Sequence, residues 1–100
     1  MSSIDASAIR DQILAHIQQQ GGSPSAWYIG IASDIDQRLH GDHAVPRKGH
    51  WFIWRLAHTS DDARAIENVF LEWGCDGGPG GGDDSTRYVY AYLKSPVTDP

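Results

Sequence analysis

Ile9, Ile13, Leu14 and Ile17 recur at three- and four-residue intervals through an otherwise polar stretch. That period predicts a helix from about residue 5 to 20, stopped by Gly21-Gly22. Ser23-Pro24-Ser25 predicts a turn, and the Trp, Tyr and Ile residues of 26–32 predict a short strand. Ser33 with Asp36 three positions on resembles a capping box and predicts a short helix to about Leu39, ended by Gly41. Residues 41–49 (GDHAVPRKG) then read as a solvated loop. Aromatic and branched residues crowd 50–57 (HWFIWRLA) and predict a central strand. A second helix follows, with Ser60 as its N-cap, Asp61 and Asp62 at the positive end of its dipole, and Ile66, Val69, Phe70 and Trp73 as its buried stripe. Gly74 stops it. Residues 74–85 (GCDGGPGGGDDS) predict an irregular glycine-rich loop. Over 86–93, Tyr88, Tyr90 and Tyr92 alternate with Val89, Ala91 and Leu93, the period of a strand with two different faces. Residues 95–100 read as a frayed tail.

The resulting order, α-β-α-β-α-β, predicts an α+β domain with a three-stranded sheet packed by helices. A chain of 100 residues has room for one such domain, with its core at about 5–94. It would bury about 65% of its unfolded surface. No apolar run approaches the ~20 residues of a membrane span, and MSSIDASAIRDQ is too polar and acidic for a signal peptide, so the expected location is the cytoplasm with no membrane partner. Cys75 is the sole cysteine, which excludes an internal disulfide and a cysteine-based zinc site.

The net charge of −5 argues against binding nucleic acid by bulk electrostatics. The distribution changes that picture, because residues 37–58 carry Arg38, Arg47, Lys48 and Arg55 against Asp42 alone, together with four of the five histidines. A local basic strip of this kind can contact a few phosphates of a nucleic acid, with salt-sensitive affinity.

The chemistry-bearing residues fall in a spaced series. Tyr28-Ile29-Gly30 ends a predicted strand, Arg38 follows ten residues after the tyrosine, His40 and His43 come next, and Glu67 lies on the last predicted helix. Phosphodiester hydrolysis needs a positioned water, a group to take its proton, and positive charge where the phosphorane becomes negative. Arg38 suits the last role, since a guanidinium forks onto two phosphate oxygens; it is also a residue type common on an exposed helix face, paired with Asp34 or Asp42. Glu67 is either an ordinary solvated helix carboxylate or a ligand for a hard divalent cation. A phenol such as Tyr28 is only about 0.1% ionised at pH 7 and needs help to act as a base. His40 and His43 suit proton transfer or, less readily, zinc.

WYIGIASDIDQRLHGDH, residues 27–43, together with Glu67 in DDARAIENVFLEW, resembles the second half of the GIY-YIG nuclease signature over roughly residues 26–73. The first half, a GIY strand pairing with YIG, has no counterpart upstream, where the chain reads QQQGGSPSA. The resemblance implies a small, mainly antiparallel sheet flanked by helices and a nuclease dependent on Mg²⁺ or Mn²⁺. In that reading Tyr28, Arg38 and His43 are catalytic, Glu67 holds the metal, and Gly30, His40, Arg47 and Lys48 face the substrate. The C-terminal strand is expected to take the place of the missing GIY strand, as a circular permutation would, with a tyrosine of the 88/90/92 set, Tyr88 or Tyr90 first, supplying the missing phenol. The family's C-terminal asparagine has no clear equivalent, since Asn68 is the chain's only asparagine and directly follows Glu67. The alternative is the same fold retained as a non-catalytic module for nucleic-acid or protein binding. The glycine-rich segment reads as a flexible loop or, less readily, a phosphate cradle, and Trp51 and Trp54 read as core before they read as base-stacking platforms.

Overall fold

The computed structural model describes residues 5–20, 23–48, 51–78 and 85–98. Its elements are helix α1 (Ala6–Gln20), a 3-10 turn (Pro24–Ala26), strand β1 (Trp27–Ala32), a π-helical segment (Gln37–Asp42), strand β2 (Phe52–Leu56), helix α2 (Ser60–Trp73) and strand β3 (Tyr88–Leu93). The three strands form one antiparallel sheet in the order β1-β3-β2. The architecture is thus a small α+β domain with the expected element order. No helix among the described residues is long and apolar enough to cross a membrane. The helix stop at Gly21-Gly22, the predicted start of β2 at His50 and residues 79–84 of the glycine-rich segment lie outside the described residues.

The alternation along β3 divides the molecule into two layers. Val89, Ala91 and Leu93 face the helical side with Ile29, Ile31 and Ile53, against Ile9, Ile13 and Ile17 of α1 and Ala63, Ile66 and Phe70 of α2. Tyr90 and Tyr92 face the opposite side with Tyr28, covered by Leu39 and Val45. The predicted centre of the sheet was wrong: β2 is an edge strand and β3 is the middle one. Crowded aromatic residues do not fix a strand's place in a sheet: β2 is only partly buried along most of its length, and Trp51 just before it, expected in the core, is 49% exposed.

The residues of β1 are all buried. Its inner edge pairs with β3 in register from Trp27↔Leu93 to Ala32↔Tyr88. Its outer edge is closed by Asp76, whose carbonyl accepts from Ile29 N–H at 2.8 Å and whose N–H donates to the Trp27 carbonyl at 2.9 Å. The glycine-rich segment therefore contributes a short parallel bridge at its start, where only irregular chain was expected. The bridge pairs the first half of the outer edge of β1.

Other boundaries shift for local reasons. The cap of the segment after β1 is Asp34, not Ser33: its carboxylate accepts from Gln37 N–H at 3.1 Å. Gly41 does not end that segment but sits inside a wide π turn, in which His43 N–H reaches the Arg38 carbonyl five residues back at 3.0 Å. A Cβ at Gly41 would overlap the Gln37 side-chain amide. The N-cap of α2 is Thr59, not Ser60, with its side chain accepting from Asp62 N–H at 3.1 Å. At the other end Gly74 takes φ 118°, the left-handed stop that its sequence position predicts. The buried face of α2 is Ala63, Ile66, Glu67 and Phe70, whereas Val69 and Trp73 are 44% and 37% exposed. Within the expected tail, residues 95–98 form a turn in which Ser95 N–H donates to Thr98 Oγ1 at 3.0 Å, and Thr98 is buried. Hydroxyl side chains that satisfy nearby backbone groups order this stretch.

Candidate active site

Gly30 and Tyr90 are direct partners on β1 and β3. A side chain at Gly30 would collide with the Tyr90 hydroxyl and ring, so the absence of one lets that ring lie across β1. Tyr28 comes from the same face of β1, and its ring stacks on Tyr92 at 5.3 Å and on Tyr90 at 6.4 Å between centroids.

The π segment supplies the next two groups. Its wide turn delivers His43, 7% exposed, into the tyrosine layer, and Ala44 at φ 55° then reverses the chain so that Val45 is also buried. His43 Nε2 lies 2.7 Å from the Tyr90 hydroxyl and Nδ1 lies 3.2 Å from the Tyr92 hydroxyl. Wide helical turns of this kind are rare and recur at functional sites. One turn earlier, the Arg38 guanidinium donates to the Ile31 carbonyl at 3.4 Å, and its positive charge acts on the Tyr90 phenol. Its Nε pairs with Asp42 at 3.2 Å, and the Arg38 side chain is 44% exposed, which makes it the solvent-facing edge of the group.

The last member is Glu67. Sequence alone placed it on the polar side of α2; it is 6% exposed. Burial raises its pKa above the ordinary carboxylate value, while Arg64 draws it down. Its charge is felt by both Tyr28 and Tyr90. Burial also raises both phenols' pKa values; at Tyr28 a hydrogen bond from Gly78 N–H opposes the shift, and at Tyr90 the Arg38 guanidinium does so. A Cβ on Gly78 would sit 2.8 Å from the Tyr28 hydroxyl oxygen, so a small residue is needed where that amide approaches.

Tyr28, Gly30, Arg38, His43 and Tyr90 are thus brought together, and Glu67 acts on the two tyrosines through its charge. The other candidates are placed differently. Tyr88 packs edge-on against Trp54, with ring centroids 5.6 Å apart. His40 donates from Nδ1 to the Val45 carbonyl at 2.7 Å and packs against Phe52. Arg47 makes a two-pronged ion pair with Asp36 at 2.7 and 2.9 Å, and Lys48 is exposed. Arg55 binds Gln12 of α1 at 2.6 Å. The basic strip of 37–58 is therefore not one free surface: Arg38, Arg47 and Arg55 each have partners. Tyr92, one of the three tyrosines from which a replacement phenol was expected but not among those placed first, is wholly buried against His43. Asp76 and Gly78 carried no sequence signal beyond their glycine-rich context.

Among the described residues no group of three or more metal-ligating side chains occurs. The carboxylates of Asp76 and Glu67 both act on Tyr28, and Asp76 is paired with Lys94 at 3.2 Å. A hard divalent cation can be held by one or two carboxylates when it keeps most of its waters. The chain matches no family model, no curated protein and no solved structure. Fold and site together define a class: a small α+β domain whose antiparallel sheet presents a tyrosine-histidine-arginine cluster on one face, with a buried glutamate on α2 whose charge acts on two of the tyrosines.

Proposed function

We propose that this domain hydrolyses phosphodiesters of DNA or RNA with a divalent cation, as a GIY-YIG-like nuclease in which β3 stands where the family's GIY strand pairs with YIG. The observation that supports it is convergence: Tyr28, Arg38, His43 and Tyr90 come from three separate segments and meet beside Gly30, with the charge of Glu67 on α2 felt by both tyrosines. A chance surface arrangement has no reason to bury His43 together with three tyrosines.

In this reading the scissile phosphate enters at the exposed edge and takes Arg38 from Asp42. That exchange is cheap, because an exposed ion pair contributes only about 0.2–1 kcal/mol. Arg38 then stabilises negative charge on the phosphorane. Tyr28, held by Gly78 N–H, orients the attacking water. Tyr90 accepts the water's proton as it yields its own to His43 Nε2, so its raised pKa is no obstacle: no free phenolate has to form. The water oxygen bonds to phosphorus as the bond to the leaving sugar oxygen breaks. Glu67 would hold Mg²⁺ or Mn²⁺, which when bound neutralises charge on the phosphate and the leaving oxygen.

Cleavage of end-labelled DNA and RNA by wild type, Arg38→Ala and Glu67→Ala, with and without Mg²⁺ or Mn²⁺, tests this. Loss of about 10²–10³ in rate is expected for Arg38→Ala; equal cleavage by wild type and variant overturns the proposal. The second reading, a binding module without chemistry, is favoured by the engagement of Arg38, Arg47 and Arg55 in intramolecular contacts. It predicts retention of nucleic acid or a protein partner with no metal-dependent cleavage.

A further inference from the structure

Trp54 and Tyr88 form a second aromatic group on the sheet face that carries the candidate site, and the chemistry proposed above uses neither. Directly opposed residues of an antiparallel pair point to one face. Trp54 is opposed to Tyr90, and Tyr88 is opposed to Ala32 on one side and Leu56 on the other. The two rings meet diagonally across β2 and β3, with centroids 5.6 Å apart and planes at 74°. Tyr90 and Tyr92 are buried, whereas Trp54 and Tyr88 are half-buried and reach solvent. We infer that this pair is a stacking platform for an unpaired nucleobase beside the scissile phosphate, so that the substrate class is single-stranded nucleic acid. The inference rests on the phosphodiesterase reading for the phosphate, and on the placement of the two rings for the base.

Arg38 fixes where a phosphate enters. Its guanidinium donates to the Ile31 carbonyl at 3.4 Å, and its side chain is 44% exposed. Ile31 adjoins Ala32, the residue opposed to Tyr88, so the arginine and that ring share one end of the sheet. Neighbouring strands are spaced by nearly 5 Å, which puts Tyr88 about 5 Å and Trp54 about 10 Å in from β1. A strand whose phosphate sits on Arg38 and which runs across the sheet toward β2 therefore brings its next base over these rings. An aromatic platform beside a cation that takes the backbone is the pairing by which single strands are held without regard to sequence. In a duplex the faces of the bases are already stacked on one another, so the platform selects unpaired nucleotides. Electrostatics alone would supply little here: the chain carries a net charge of −5, and Arg47 and Arg55 are engaged by Asp36 and Gln12. Few phosphate contacts give weak, salt-sensitive binding, and stacking adds affinity that salt does not screen.

The probe is a short fluorescein-labelled single strand of deoxythymidylate, compared by anisotropy in EDTA with an abasic strand of the same length and phosphate count. Wild type should bind the base-bearing strand about tenfold more tightly, within the range that stacking of a base on an aromatic side chain contributes. Trp54→Leu and Tyr88→Leu should each lose most of that preference while keeping the same salt dependence, which reports phosphate contacts. Equal affinity of wild type for the two strands, or binding to neither, overturns the inference, and that reading needs no variant to fold. Folded variants that keep the full preference overturn it as well. A duplex of the same length bound as tightly as the single strand overturns the substrate class. The cleavage assay is read separately: a base preference in a protein that cleaves neither DNA nor RNA leaves the platform standing and removes the phosphodiesterase reading, whereas cleavage without a base preference does the reverse.

Discussion

The Tyr90 ring lies across the backbone of Gly30, its partner on the neighbouring strand, in the space a side chain would occupy. Gly30→Ala should therefore cost about 1–3 kcal/mol by overpacking, measured as a shift in the urea midpoint. The cost should vanish in a Tyr90→Ala background, where the methyl fills freed space. Additive costs in the double variant would show that the two residues do not press on each other.

Asp42 competes with any anion for Arg38. Asp42→Asn should raise affinity for a short DNA or RNA strand at low salt while changing stability by less than about 1 kcal/mol. Asp11→Asn, which removes the same charge beside Arg10 on α1, is the control for net charge. Equal gains in both variants would assign the effect to bulk electrostatics and remove Arg38 as the specific contact.

Glu67 gives the protein a pH dependence of definite sign. Its folded-state pKa is raised above 4.5 by burial, so the native state holds its proton more tightly than the unfolded chain does. That contribution is fully present below the unfolded pKa and is lost as pH rises through the folded value. Glu67→Gln should thus be more stable than wild type above that window, with the difference shrinking on acidification toward pH 4.5. Without Glu67 the thermal midpoint should also stop responding to Mn²⁺. Denaturation curves across pH that run parallel for the two proteins would remove Glu67's buried charge as the cause.

Helix α2 begins at a hydroxyl that can be tested directly. Thr59→Ala removes the acceptor for Asp62 N–H and should cost about 1 kcal/mol, whereas Ser60→Ala, one residue inside the helix, should change stability little. The reverse order in urea denaturation would place the cap at Ser60.

Much of this was readable from the chain, and the failures share a cause. The period-2 pattern of residues 88–93 gave both faces of β3, because alternation is a local property of a strand with two different environments. Its place in the middle of the sheet depends on which strands pair, and no local pattern records that. On α2 the hydrophobic residues Val69 and Trp73 suggested a buried stripe that is rotated from the real one. The real stripe runs through Ala63, Ile66 and Phe70 and takes Glu67 inside. A carboxylate placed against the hydrophobic pattern was itself the signal, but a single helix wheel reads it as solvated. Arg38 and His43 were visible by spacing; the π turn that aims His43 was not, since Gly41 looks like a stop from sequence.

The order of the strands in the sheet also bears on synthesis. Both outer strands leave the ribosome before the one strand that joins them, and the direct pairings of β1 and β2 within the sheet are to β3. Until residues 88–93 emerge, a nascent chain carries two aromatic strands with unmatched backbone groups, a state prone to wrong pairing. Tyr90 and Tyr92 arrive with that joining strand, so the step that closes the sheet is the same step that brings two phenols to His43.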